Sequence, residues 1–391
     1  MIRDDKIKHI MSAEVNKLGL FGLNIVFVPI NENKNDPIKV LSLEDLERFV
    51  KFKSEKKKTE FLSARVALGM IDPSLCKEIS YEGKRPKLKS NSGELSLSHS
   101  QKFAAAAWHP SLPVGIDVES ERTQLHTIST KFLSLEEIDK IRSTKNPDLA
   151  RRIAWGAKES VYKAAHQKGL SLSKDIMLNF IAEFKSGKGT ATISDGRKYS
   201  VGWNLIETAD ETTEALVWAV EHPKTLKIVL TGPESSGKTT LCKSLSIHFN
   251  AKHIAEYARE YLKNKKGKYD LNDIIRINEI QTENHKNIIE PMVFFDTDAI
   301  TLIIWAKDKF NKSIDDFEIT LRDNLPHLYL LCRSDLPWVY DPQRENPDDL
   351  NRIFGLHEQA LRSRNIPFEY IQGKGEARMK NAIIAIENQM L

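Results

Sequence analysis

The chain has 391 residues, with 58 Lys and Arg against 54 Asp and Glu and a formal charge of +4. That near balance demands no nucleic-acid surface, and 40% hydrophobic with 29% charged residues describes a globular protein long enough for two domains. No apolar run is long enough to span a bilayer, the polar stretch Met1 to Asn16 lacks the apolar core of a signal peptide, and Cys76, Cys242 and Cys332 show no metal spacing, so a reduced, cytoplasmic protein with no membrane partner is expected.

Leu20 to Ile30, with Ile25, Val26, Phe27 and Val28, reads as a strand. Leu43 to Met70 reads as largely helical, with Arg65 in its second part, beyond the cluster Lys56-Lys57-Lys58. A basic turn at Glu82 to Leu88 precedes the alternating strand Leu95 to Ser100, which ends in Ser98, His99 and Ser100. Val114 to Glu119 is a further strand. Residues two apart on a strand share a face, so Asp117 and Glu119 aim two carboxylates together among apolar neighbours. Two like charges placed so are unfavourable unless a cation lies between them, and oxygen ligands of that kind suit Mg²⁺. Trp155 to Lys163 reads as an amphipathic helix in which Glu159 and Lys163, four apart, share one face. Two alternating strands, Lys198 to Leu205 and Ala215 to Val220, end the first half.

The second half opens with the apolar run Ile228 to Leu230, followed by Gly232-Pro233-Glu234-Ser235-Ser236-Gly237-Lys238-Thr239-Thr240 and a helical pattern from Leu241 to Phe249. Strand, glycine loop and helix in that order are the setting of a phosphate-binding loop. Backbone N–H groups of the loop face phosphate oxygens, Lys238 supplies a mobile cation to the outer phosphates, and the Thr239 hydroxyl is placed to ligate Mg²⁺. A strand over Lys252 to Ile254 leads to Glu256-Tyr257-Ala258-Arg259-Glu260, not far from a second basic cluster at Lys263, Lys265 and Lys266. A helix over Asn272 to Glu290 then precedes the strand Met292 to Phe295, which ends in Asp296, the position of a Walker B acid. Helices are expected at Asp298 to Phe310 and Asp315 to Asp323, a strand at His327 to Cys332, a helix at Asp349 to Arg364, a strand at Phe368 to Ile371, and a final helix from Glu376. Between them Arg333 to Asp349, with Pro337, Pro342 and Pro347, reads as a lid whose Arg333 and Arg344 close on a transferring phosphoryl group.

The first half, over about residues 20 to 222, resembles the Sfp-type 4′-phosphopantetheinyl transferases, through GKRPKL at 83–88, SLSHS at 96–100, GIDVE at 115–119 and WGAKES at 155–160 with Lys163 beyond. The resemblance implies an α+β pseudo-twofold fold of two similar lobes, about 1–112 and 113–223, with coenzyme A as substrate and an apo carrier protein as partner. It implies that Asp117, Glu119 and Glu159 hold Mg²⁺ on the coenzyme A pyrophosphate. Ser98, His99 and Lys163 then touch the phosphates, and Arg65 with Lys84 or Arg85 reaches the 3′-phosphate and adenine. Lys158 is counted among the coenzyme-binding groups, and Glu159 helps deprotonate the incoming serine.

The second half, over about residues 226 to 391, resembles the kinase domain of NadR-type proteins, through GPESSGKTTL, EYARE at 256–260, FFDTD at 294–298 and RSDLPWVYDPQR at 333–344. That implies a P-loop kinase with a five-stranded parallel sheet and helices on both faces, using ATP and Mg²⁺ to phosphorylate nicotinamide riboside. Glu256 and Arg259 lie where the sugar should bind, and Glu256 is preferred over Asp296 as the base. The family more often has glycine after Asp341, and no H-x-G-H adenylyltransferase motif is present, so the reaction is expected to stop at the mononucleotide. The whole therefore reads as a two-domain α/β enzyme divided at about residue 223. A kinase for another nucleoside, or a nucleotide-binding regulatory domain, is the alternative for the second half.

Overall fold

The computed structural model describes residues 16–17, 22–30, 41–90, 92–122, 124–182, 184–208, 210–263, 265, 268–285, 288–341, 344 and 348–390. Lys266, Pro342, Gln343 and Pro347 lie outside the described residues, as does nearly all of the stretch Met1 to Asn16. The chain divides between His222 and Pro223 into two compact units. Among the described residues no helix is long and apolar enough to cross a membrane.

The first unit holds two main sheets and a hairpin. In one sheet the strands Asn16–Lys17, Asn24–Pro29, Phe103–His109 and Glu94–His99 lie side by side in that order, every pair antiparallel. Phe103–His109 is buried along its whole length. Its Ala104 and Ala106 meet Ala64 and Ala67 of the helix Glu55–Ile71 in one core with Val26, Val28 and Leu68. Small residues on both surfaces let helix and sheet approach closely. The expected helical stretch forms two helices, Leu43–Phe49 capped by Ser42 and a second starting after Ser54 that carries Arg65. The expected basic turn is a hairpin of Ile79–Glu82 and Arg85–Leu88, closed at Gly83 with φ +64°.

The second sheet runs Val114–Glu119, Thr213–Glu221, Lys198–Glu207, Ser186–Ile193, Ile176–Leu178, again antiparallel throughout. Across it lies the helix Pro147–Ala165. Asn146 caps its start by accepting from the Leu149 amide, Pro147 occupies the first turn, and His166 ends it in the left-handed region. Ile153, Ala157, Val161 and Ala164 of this helix bury against Val201, Trp203, Ala215 and Val217.

The second unit is built on five parallel strands in the order Lys252–Ile254, Met292–Asp296, Leu226–Thr231, Leu328–Cys332, Phe368–Ile371. Val229, Phe295, Tyr329 and Leu331 share a core with Ile300 and Ile304 of the helix Ala299–Phe310, Leu321 of Asp315–Asp323 and Leu361 of Leu350–Arg362. The helix Lys238–His248 follows the first strand of the unit, and Gly375–Met390 closes the chain.

Candidate active sites

In the first unit the acidic strand and the long helix meet at two glycines. A Cβ on Gly115 would sit 1.8 Å from the Ser160 carbonyl oxygen, and one on Gly156 would sit 2.8 Å from Val217 Cγ2 and 3.8 Å from Asp117 Oδ2. Only hydrogen fits there, and the close approach sets Lys163 over Asp117. The Lys163 ammonium donates to Asp117 Oδ1 at 2.7 Å, to the Ile116 carbonyl at 2.8 Å and to Ser98 Oγ at 3.2 Å, while Ser98 donates to Asp117 Oδ1 at 2.9 Å. Trp155, edge-on to Phe132, donates its indole N–H to Glu119 Oε1 at 2.7 Å.

Asp117 and Glu119 are buried, and Asp117 Oδ2 and Glu119 Oε2 have no hydrogen-bond partner. Arg122 Nε stands 3.3 Å from Glu119 Oε2, an ionic contact without hydrogen-bond alignment. Two buried carboxylate oxygens that accept no hydrogen bond fit a hard cation. Among the described residues no group of three His, Cys, Asp or Glu is assembled as a metal-ligand set. The expected cage of three carboxylates is thus a pair with the half-buried Glu159 near it, an arrangement that suits Mg²⁺ carried in with substrate phosphates.

Burial, and next the neighbouring Asp117 carboxylate, push Glu119 up to about 7. A carboxyl raised in the fold favours the protonated state, so its stabilisation is complete in acid and lost as pH rises through 7. Without metal, the first unit is expected to lose stability as pH rises from about 4.5 to 7, and the Mg²⁺ concentration needed for half-maximal stabilisation should rise as pH falls from 8 to 6. Thermal melts with and without Mg²⁺ across that range check both. Glu159 is also raised, by burial and by Asp117, against Lys163.

The expected coenzyme-binding cations are placed less uniformly. Lys158 is wholly buried, its ammonium spent on Glu137 at 2.7 Å and on the carbonyls of Leu172 and Ile176 at 2.9 and 2.7 Å. It ties the helix to its surroundings and has no donor left for coenzyme, which corrects the sequence reading. Successive helical residues point about 100° apart, so Glu159 facing the site turns Lys158 into the core.

Arg65 is also buried. It forks onto Asp45 at 2.9 and 3.0 Å, donates to the Phe61 carbonyl at 3.3 Å and to the Tyr81 hydroxyl, and lies on the Phe61 ring, so it is a strut of its helix and not a group held out to a phosphate. Arg65→Met strands the fully buried Asp45, and the expected cost is about 3–5 kcal/mol in denaturant unfolding. Arg85 pairs with Glu94 at 3.0 Å, Lys84 is exposed on the hairpin turn, and His99 is half exposed, with Nδ1 3.9 Å from Glu60.

In the second unit the loop takes the shape its sequence implies. Gly232 has φ +125°, and a Cβ there would be 2.5 Å from the Cys332 carbonyl oxygen; Gly237, at φ +77°, caps the following helix. Lys238 donates to the carbonyls of Gly232 and Pro233 at 2.9 and 2.7 Å. The loop rims a cavity of about 280 Å³ that Glu234, Ser235, Ser236, Thr239, Thr240, Glu256, Arg259 and Arg344 also line. Asp296 is in register with Leu230 of the loop strand, buried, with Oδ1 unpartnered. Burial foremost, then Asp296, raises Glu256, against Lys238 and Arg259.

Arg259 pairs with Asp341 at 2.9 Å, and Arg344 reaches Ser235 Oγ at 3.3 Å. Ser235 also accepts from the Val339 amide at 2.9 Å, so Val339 and Arg344 both rest on the loop. Arg333 stacks instead on Tyr370, 4.6 Å from its ring centre, and is absent from the cavity wall.

Tyr269, Trp305, Asp308 and His357 are among the cavity residues that gave no sequence signal. The Trp305 indole donates to the Tyr269 hydroxyl at 2.9 Å with the rings nearly perpendicular. His357 Nδ1 lies 2.8 Å from Thr231 Oγ1, and burial followed by the Lys238 charge push it down to about 3.

Each unit thus has a polar site of its own kind, carboxylates beneath a lysine in one and a glycine loop in the other. Comparison with known proteins places them. The model of the 4'-phosphopantetheinyl transferase superfamily matches residues 113–220, and an AAA domain model matches residues 227–378. The trifunctional NAD biosynthesis/regulator protein NadR of Salmonella typhimurium is 25% identical over 154 residues, 37% of this chain and 38% of that protein. A crystal structure of NadR protein in complex with NR matches with a TM-score of 0.36 and 21% identity, over 42% of this chain and 50% of that one. Thymidylate kinase from Ehrlichia chaffeensis matches with a TM-score of 0.33 and 14% identity, over 42% and 98%. The two resemblances read from the sequence are therefore both met, and the chain spans well under two thirds of the NadR proteins it matches.

Proposed function

We propose that the chain is a bifunctional enzyme, a phosphopantetheinyl transferase joined to a kinase for nicotinamide riboside. The observation that carries the first activity is the convergence of Ser98, Asp117 and Lys163 beside two buried carboxylate oxygens that accept no hydrogen bond. Asp117 and Glu119 would hold Mg²⁺ together with the pyrophosphate of coenzyme A, and the ion when bound neutralises charge on the bridging oxygens. Lys163 and Ser98 orient a phosphate against that pair. Glu159, its carboxyl raised by burial and half exposed, takes the proton of the carrier-protein serine as the serine oxygen attacks phosphorus. The phosphoanhydride bond breaks and 3′,5′-ADP leaves.

The observation that carries the second activity is one cavity holding the phosphate loop, Glu256, Arg259 and an aromatic wall of Tyr269 and Trp305. Aromatic faces attract a cationic ring such as a pyridinium. Glu256 receives the proton of the sugar hydroxyl, Arg259 holds the sugar side, and Lys238 leaves its loop carbonyls for the outer phosphates of ATP. Arg344, already on the loop, lies where a closing lid would bring charge to the moving phosphoryl group.

Incubating the purified protein with labelled ATP and nicotinamide riboside is expected to yield the mononucleotide. ATP binding without product from this or any other nucleoside would leave the regulatory reading. A carrier protein that gains no phosphopantetheine arm, or gains it equally with Glu159→Ala, would remove the transferase assignment.

A further inference from the structure

The last helix carries an arginine that none of the preceding chemistry uses. Arg378 is 4% exposed, and its guanidinium lies behind the phosphate loop. It donates to the Ser236 carbonyl at 2.7 Å, to the Gly373 carbonyl at 2.9 Å, to the Arg333 carbonyl at 3.2 Å and to Asp335 Oδ1 at 2.7 Å. Asp335 Oδ2 in turn accepts the Gly373 amide at 2.6 Å. A Cβ placed on Gly237 would come 4.0 Å from Arg378 Nε, so the guanidinium also backs the second loop glycine.

Three segments thus meet on one side chain. They are the phosphate loop, the start of the 333–344 stretch, and the Gly373–Gly375 turn, whose glycines have φ +95° and +52°. Each follows the carboxyl end of a parallel strand, the edge where such sheets bind ligands. A loop whose N–H groups must face phosphates loses affinity when its carbonyls are free to turn, because misdirected donors forfeit charge-assisted hydrogen bonds. The planar fork engages the Ser236 carbonyl from a side chain that does not line the cavity, which leaves the loop amides for the anion.

We propose that Arg378 is a positioning residue for ATP, fixing the phosphate loop from behind and locking it to the two neighbouring strand-end segments through Asp335. The inference rests on reading residues 232–240 as a nucleotide site. It does not depend on which nucleoside is phosphorylated.

The test is calorimetric titration of the full chain with AMP-PNP and Mg²⁺, in the wild type, Arg378→Lys and Asp335→Asn, with circular dichroism and melting recorded for each. Lysine keeps the charge but cannot span the four acceptors, and Asp335→Asn leaves the arginine in place while loosening its grip. Arg378→Lys is expected to weaken AMP-PNP binding at least tenfold and Asp335→Asn about threefold. In turnover, KM for ATP should rise while KM for the nucleoside and kcat stay within threefold. A purely structural arginine would lower the melting temperature without that split. Wild-type affinity in a natively folded Arg378→Lys overturns the inference, and if that variant does not fold, wild-type affinity in Asp335→Asn does so. No binding of AMP-PNP by the wild type would instead overturn the nucleotide-site reading together with the inference.

Discussion

Gly115→Ala is expected to abolish phosphopantetheine transfer while leaving the kinase reaction of the second unit intact. The added methyl would stand 1.8 Å from the Ser160 carbonyl oxygen and 3.1 Å from the Ala164 amide nitrogen, both backbone atoms of the long helix. Backbone in mid-helix cannot step aside as a side-chain tip can, so helix or strand must shift by more than 1 Å. Ser160 lies directly after Glu159 and three residues before Lys163, and both leave Asp117 with it. Overpacking of this severity costs roughly 3 kcal/mol or more, and a misplacement of about 1 Å alone costs on the order of 100-fold in rate. Gly156→Ala presses on the Val217 side chain, 2.8 Å away, with Asp117 Oδ2 at an ordinary 3.8 Å, and should be the milder variant. Melting curves and carrier-protein mass measurements on both establish the order.

Lys238→Ala should lower phosphoryl transfer by about 100- to 1000-fold, the usual scale for removing one preorganised charge partner of a transition state. The ammonium touches only the loop carbonyls of Gly232 and Pro233, and its removal leaves groups that water can satisfy at the cavity rim. The melting temperature is therefore expected to stay within about 4 °C, since a loss under 1 kcal/mol shifts a unit of this size by no more. Steady-state kinetics against ATP check the first statement and calorimetry the second. A loss of rate matched by a loss of fold would mean the lysine is structural.

Much of the fold was legible because its apolar runs are bounded by strong punctuation. Val114–Glu119 and Asp315–Asp323 appear at the residues expected, and Met292–Asp296 extends by one. Phe103–His109 gave no such signal: its four alanines prefer helix, and only burial between a helix and a sheet makes them strand. Ser186–Ile193 is polar and glycine-bearing. Its Gly187 lies under Trp203 and its Gly189 under Phe180, two rings stacked 4.9 Å apart that supply the apolar cover from other segments. Such cover is invisible along the chain.

The sites divide in the same way. Asp117, Lys163, Ser98 and the phosphate loop lie inside short motifs whose spacing carries their geometry. Lys158 and Arg65 sit in equally suggestive surroundings, but whether a helical cation faces cavity or core depends on what packs above it, here Glu137 and Asp45. Trp155 is within a quoted motif, yet its hold on Glu119 emerges only when strand and helix are brought together. Tyr269, Trp305, His357 and Arg378 reach the second site from four different helices or turns, and no spacing within the sequence links them.

One chain is expected to carry two separate phosphate chemistries. An assay that gives the full chain coenzyme A, Mg²⁺, apo carrier protein, ATP and nicotinamide riboside together, and follows both products by mass in the wild type, Glu159→Gln and Lys238→Ala, decides this. The wild type should form modified carrier protein and mononucleotide, Glu159→Gln the mononucleotide alone, and Lys238→Ala the modified carrier alone. Absence of either product in the wild type, or loss of both in a single folded variant, would contradict two independent active sites.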